Sequence, residues 1–177
     1  IRASDLDDSD SSMQSILLNM FCNSKIPALY KNIFGNRMNI LKDNSLPRRQ
    51  TPGKNNPPVP FHQDASFMGN PGLIINSWIP LNQAGLSAPG LQIVCLPQKE
   101  VLDLPNCQNK QATSYKDIDL TNHPIIQELN QSQLWSPVVN PGDVLFFSHL
   151  TIHRTYQTPE MNKERISLEI RCKGINT

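Results

Sequence analysis

At 177 residues the chain suits a single domain with room for a sizeable core. Its 16 Lys and Arg nearly balance 15 Asp and Glu, so no broad basic field argues for a nucleic-acid partner. No apolar run reaches the about 18 residues of a transmembrane helix, and the first residues lack the basic-then-apolar order of a secretory signal.

A small-molecule partner is therefore expected, with neither nucleic acid nor membrane. Cys22, Cys95, Cys107 and Cys172 are widely spaced with no Cys-x-x-Cys pair, which speaks against a zinc ribbon or a thioredoxin-type motif. They read as reduced thiols and point to the cytoplasm; two disulfides in a secreted protein, with Asn130-Gln131-Ser132 as a glycosylation sequon, are the weaker alternative. The chain opens at Ile1 rather than Met, which leaves a preceding targeting segment open. Its 15 prolines fall mostly between apolar runs, as expected of short strands joined by long ordered loops around a mainly β core.

In chain order, Ser9 to Ser12 offer helix caps before Met13, Ile16, Leu17, Met20 and Phe21, whose spacing puts them on one helical face that should pack on a sheet. Pro27 to Phe34 predicts a second short helix, stopped by Gly35. The helical section thus runs over about residues 9–35, with the β domain over about 37–172. Met38 to Leu41 reads as a strand, and Leu46 to Pro60, with five prolines, as a loop carrying Arg48, Arg49 and Lys54. These cations could sit at a pocket mouth and favour an anionic substrate.

Gly69-Asn70-Pro71-Gly72 is a turn before the strand Leu73 to Leu81, in which Asn76 and Trp78 share one face. Leu91 to Leu96 is another strand. Residues 97–133 read as an excursion from the main sheet with one short helix near Pro124 to Leu129, and His123 within it as a surface residue. Pro141-Gly142-Asp143 then launches the strand Val144 to Phe147, and Arg165 opens the strand Ile166 to Cys172. On that last strand Ser167, Glu169 and Arg171 share the face of Arg165, which suits a ligand-holding interior rather than a solid core.

The stretch carrying the chemistry is Phe61-His62-Gln63-Asp64. An imidazole and a carboxylate two residues apart project to one face of an extended strand. With one further His they would make a two-His, one-carboxylate face suited to Fe(II), leaving positions open for substrate and oxygen. His149 and His153 are both candidates for that third ligand, and spacing alone does not choose between them.

Phe61 to Asp64, Ser77-Trp78-Ile79-Pro80-Leu81, Pro89 to Val94, and Gly142 to Phe147 through His153 to Arg165 together resemble the phytanoyl-CoA dioxygenase family in order and spacing. The resemblance implies a double-stranded β-helix, a jelly-roll barrel of the cupin-like kind, flanked by helices. It implies an Fe(II)- and 2-oxoglutarate-dependent dioxygenase that hydroxylates a small or carrier-linked metabolite with O2 while 2-oxoglutarate becomes succinate and CO2. On this match His62, Asp64 and His153 are the iron ligands, and Arg165 holds the far carboxylate of 2-oxoglutarate, with Arg171 the alternative anchor. Gln63, Trp78 and Thr155 match positions lining the cosubstrate pocket, and His149 becomes a pocket or packing residue. The chain departs from the family in its abbreviated N-terminal section and in having Arg154-Thr155-Tyr156 where a Gly-Ser-type segment is common. The rival expectation is a jelly roll that binds a ligand without turnover, because folds outlast their chemistry.

Overall fold

The structure, a computed structural model, describes residues 11–35, 37–53, 56–68, 72–104 and 116–174. Helix α1 spans Ser11–Cys22 and α2 Ile26–Phe34; short helical turns α3 (Ala65–Met68) and α4 (Pro124–Gln127) lie in the loops. The strands are β1 (Met38–Ile40), β2 (Leu46–Gln50), β3 (Ile74–Pro80), β4 (Gly90–Val94), β5 (Leu134–Trp135), β6 (Leu145–Ser148), β7 (His153–Tyr156) and β8 (Arg165–Gly174). The cap candidates Ser9 and Asp10, the turn residues Gly69 to Pro71, Lys54 and Cys107 lie outside the described residues.

The strands form two antiparallel sheets. In the larger, β8 is the spine: β1 and β2 pair end to end along one edge, and β3 followed by β6 lies on the other. The smaller runs β5-β4-β7. The sheets face each other across Trp78, Leu145 and Phe147 of the larger and Leu91 and Ile93 of the smaller. This is the mainly β architecture expected, as two facing sheets; among the described residues no closed barrel forms.

Two outer layers complete the core. Ile26 and Tyr30 of α2 cover the back of the larger sheet at Ile170 and Cys172, and the Tyr30 hydroxyl shares a 2.6 Å hydrogen bond with Ser77. Of the face expected to pack on a sheet, Phe21 is buried beside Tyr30 in the cluster on the larger sheet while Ile16 and Met20 are each 53% exposed; the side chains of Met13 and Leu17 lie outside the described residues. The shorter α2 has the better face, with Ile26, Tyr30 and Phe34 at four-residue intervals. It ends at Gly35, whose φ of 69° only glycine adopts at little cost. Behind the smaller sheet, Phe61, Val94, Leu120 and Ile152 form the third cluster, and the excursion folds back onto it through Ile125 and Ile126. His123 is half-buried rather than a surface side chain: it caps α4, its Nδ1 accepting from Ile125 N at 3.2 Å.

The stretch from Leu46, read as a loop, also needs correction. Leu46–Gln50 pairs with Glu169 to Arg165 as β2, with Pro47 opposite Leu168. Among the described residues β2 pairs with β8 alone, and a strand with an open edge tolerates proline's missing N–H. The free thiols Cys22, Cys95 and Cys172 agree with the reduced reading at those positions.

Candidate metal centre and its cavity

His62 and His153 form an isolated antiparallel bridge, each backbone N–H donating to the other's carbonyl at 3.0 Å. Residues directly opposite in such a pair put their side chains on one face, and here the ring centroids are 4.3 Å apart. Asp64 follows two residues on, where the chain turns into α3. Its Oδ1 lies 3.7 Å from His62 Nε2 and 3.9 Å from His153 Nε2. One donor atom from each of the three residues falls within 4.8 Å of the others, and all three side chains are buried.

The hydrogen bonds around the triad set its chemistry. Nδ1 of His62 is 2.9 Å from the Pro60 carbonyl, and Nδ1 of His153 is 2.9 Å from that of Thr151. A carbonyl can only accept, so each Nδ1 carries a hydrogen and each Nε2 is the nitrogen turned toward Asp64 Oδ1. Burial, reinforced by the neighbouring His153, pushes the His62 pKa down to about 3, so its imidazole is neutral at ordinary pH. Burial alone would raise the Asp64 carboxyl, but the Arg171 guanidinium beside it opposes this and Asp64 is held well below the usual carboxylate range. Asp64 Oδ1 is buried with no hydrogen bond, an arrangement costly for a carboxylate oxygen unless a cation completes it. Two imidazole Nε2 atoms and one bare carboxylate oxygen, aimed at a common point, fit a divalent metal with open positions.

The triad opens into a cavity of about 350 Å3 walled by β2, β7 and β8. Every second residue of β8 from Arg165 to Arg171 faces inward and is buried, as the alternation along that strand implies. Arg165 is 3% exposed, with its guanidinium 5.5 Å above the Trp78 ring and Nη1 donating to the Gly90 carbonyl at 3.4 Å. It thus spans the gap between the sheets at the cavity wall. Thr155 lines the same wall.

The other expected pocket residues divide. Trp78 is fully buried in the inter-sheet cluster, beneath Arg165 rather than on the cavity wall. Gln63 does not line the cavity: it turns away from His62 and Asp64, donating to the Glu100 and Leu150 carbonyls and accepting from Leu102 N. Period-two alternation across His62-Gln63-Asp64 sends it to the opposite side, where it pins the excursion to the site. His149 is buried four residues before His153, and its Nδ1 accepts from Ile74 N at 3.4 Å. Arg171, the alternative cosubstrate anchor, is instead committed to Asp64 at 2.8 Å.

The basic cluster is largely neutralised. Arg48 lines the cavity but pairs with Glu169 at 3.1 Å, and Arg49 pairs with Glu164. Sequence reasoning gave no role to Asn76, which donates to Asp64, or to the buried Ser167 hydroxyl, which has no hydrogen-bond partner among the described residues. The available signal was period-two alternation, which puts Asn76 on the Trp78 face of β3 and Ser167 on the Arg165 face of β8.

The sequence matches the model of one family, Phytanoyl-CoA dioxygenase (PhyH), over residues 3–161. No curated protein matches it. In fold the chain is similar to the epimerase SnoN in complex with Fe3+, alpha ketoglutarate and nogalamycin RO, at 14% identity and a TM-score of 0.65 over 89% of this chain and 58% of that one. It is similar to the carbocyclase SnoK from nogalamycin biosynthesis at 17% identity and a TM-score of 0.61, covering 84% of this chain and 55% of that one. EvdO2 from Micromonospora carbonacea var. aurantiaca, complexed with 2-oxoglutarate, matches at 14% identity and a TM-score of 0.60, over 92% of this chain and 64% of that one. The chain therefore spans less than two-thirds of each of these proteins, and at such identities the likeness is one of fold.

Proposed function

The chain belongs to the phytanoyl-CoA dioxygenase family, and from that premise we propose that it carries an Fe(II)- and 2-oxoglutarate-dependent oxygenase site that hydroxylates a small or carrier-linked organic molecule. The observation that carries this reading is the convergence of His62 Nε2, His153 Nε2 and Asp64 Oδ1 at a cavity walled by Arg165. His62, Asp64 and His153 would hold the iron. When bound, iron supplies oxygen activation coupled to decarboxylation of 2-oxoglutarate.

The chain's own residues do the rest. Three protein ligands leave open positions for a chelating 2-oxoacid and for oxygen. Arg165 is the anchor for the far carboxylate, because a guanidinium forks onto a carboxylate with two parallel charge-assisted bonds. Trp78 supports that anchor from below by the cation–π contact, and Thr155 is a further polar group on the wall. The buried inter-sheet cluster beneath excludes water from the inner end of the cavity.

Hydroxylation is the preferred outcome because Asp64 fills the carboxylate position, which a halogenase on this fold would have to vacate for chloride. An anionic substrate gains less support than the basic cluster promised, since Arg48 and Arg49 already face Glu169 and Glu164.

Anaerobic addition of Fe(II) and 2-oxoglutarate should produce a weak visible charge-transfer band, and aerobic incubation with a metabolite extract should release succinate above the uncoupled background. A folded, metal-loaded protein giving neither signal would favour the non-catalytic ligand-binding jelly roll.

A further inference from the structure

The two oxygens of Asp64 meet different surroundings. On Oδ2 converge Arg171 Nε at 2.8 Å, Arg171 Nη2 at 2.8 Å and Asn76 Nδ2 at 3.3 Å. Oδ1 receives no hydrogen bond and faces the two imidazole Nε2 atoms. Arg171 is held in turn: Nη2 also reaches Glu169 Oε2 at 2.9 Å, Nη1 donates to the Asn44 carbonyl, and its backbone N–H donates to Ser45 Oγ at 3.0 Å. Glu169 pairs at its other oxygen with Arg48, so Asp64, Arg171, Glu169 and Arg48 alternate in sign from the triad to the cavity wall.

A buried chain of charges is poor evidence for stability, since desolvation offsets much of the attraction and an apolar replacement can serve the fold as well. The geometry of the contact says more. Arg and a carboxylate often pair fork to fork, one nitrogen to each oxygen. Here that pairing would occupy Oδ1. Arg171 instead spends two nitrogens on Oδ2, and Asn76 adds a third donor there.

We infer that Arg171 is a positioning residue for the metal: by occupying Oδ2 it restricts Asp64 to ligation through Oδ1 alone. The consequence is functional, because a carboxylate free to chelate with both oxygens would take one of the positions that 2-oxoglutarate and oxygen need. The inference rests on the reading of the triad as a metal centre, and the experiment separates the two.

Co(II) is the probe, since its visible spectrum reports coordination without turnover. Arg171→Lys keeps the charge but has one nitrogen where the wild type uses two. Its apparent dissociation constant for Co(II) should rise roughly 10- to 100-fold, as for other outer partners of metal ligands, and the band shape should change. Asn76→Ala, which leaves the ion chain intact, should change the spectrum less and in the same direction, and it serves if Arg171→Lys fails to fold by circular dichroism. Variants with a lowered unfolding midpoint but a wild-type spectrum and affinity would make Arg171 merely structural and overturn the inference. A wild type that binds neither Co(II) nor Fe(II) would overturn the metal centre itself, and this inference with it.

Discussion

Asp64, His62 and His153 act as one unit because each imidazole has its tautomer set by a carbonyl and the carboxylate has one oxygen left bare. That logic separates His153 from His149. The Nδ1 of His149 accepts a backbone N–H, and its role is packing against β3, so His149→Ala should lower stability yet retain metal binding, whereas His153→Ala should abolish it. Equilibrium dialysis of both variants with Co(II) decides the matter, and the opposite pattern would move the third ligand to His149. For the cosubstrate, Arg165→Lys keeps a charge in the cavity but loses the fork and the guanidinium contact over Trp78. A weakening of 2-oxoglutarate binding by about 1.5–3 kcal/mol is expected from the lost charge-assisted bond. Titration of the charge-transfer band would measure it; an unchanged affinity would place the anchor elsewhere.

At the scale of elements, β8 does two jobs by alternation. Ile170 and Cys172 feed the helix-covered cluster while Arg165, Ser167, Glu169 and Arg171 face the cavity side. A register slip of one residue would bury the apolar set against the triad and turn the ions to the helices. The smaller sheet depends on the turn before β4, where Gly85 adopts φ +89° and a Cβ would fall 2.3 Å from the Pro137 carbonyl oxygen. Gly142 also has positive φ, but nothing lies within 4 Å of its would-be Cβ. Gly85→Ala should therefore destabilise the protein by about 1–3 kcal/mol or more, and Gly142→Ala by less. Urea unfolding of the two variants checks the order; equal midpoints would mean that the Gly85 turn can shift without cost.

For the molecule as a whole, the buried titratable groups around the triad act in one direction with pH. The folded His62 pKa of about 3 lies below its ordinary 6.5, so as pH falls the unfolded chain takes up that proton first. The stability tied to a neutral His62 is thus full above about 6.5 and drains away toward 3. Glu169, which burial would raise, is held low by Arg48 and Arg171, and Asp64 is held low likewise; their contributions are lost at more acid pH still. The metal-free protein should accordingly lose stability between pH 7 and 5, before the carboxylates titrate, and His62→Gln should reduce that loss, leaving the share of His149, which burial also holds low. Denaturant midpoints independent of pH over this range would refute the buried neutral imidazole.

What the sequence determined by itself was local and periodic. His62 and Asp64 two apart, the alternation on β8, the Pro27 to Gly35 helix and the family's motif order are all properties of spacing, and spacing is written in the chain. Leu46–Gln50 was hidden because Pro47 and the prolines that follow it up to Pro60 speak as loop residues until a partner strand is known, and only the pairing with β8 makes an edge strand of it. The assignment of Gln63 failed for a related reason: the motif names a position, but alternation together with acceptors at Glu100 and Leu150 decides where the side chain goes. The commitment of Arg171 to Asp64, 107 residues away in sequence, lay beyond any periodicity. Which of two inward arginines pairs with Asp64 and which lies over Trp78 is decided by β3, β8 and the His62–His153 bridge meeting in space, because an ion pair is specified by distance and burial rather than by order along the chain.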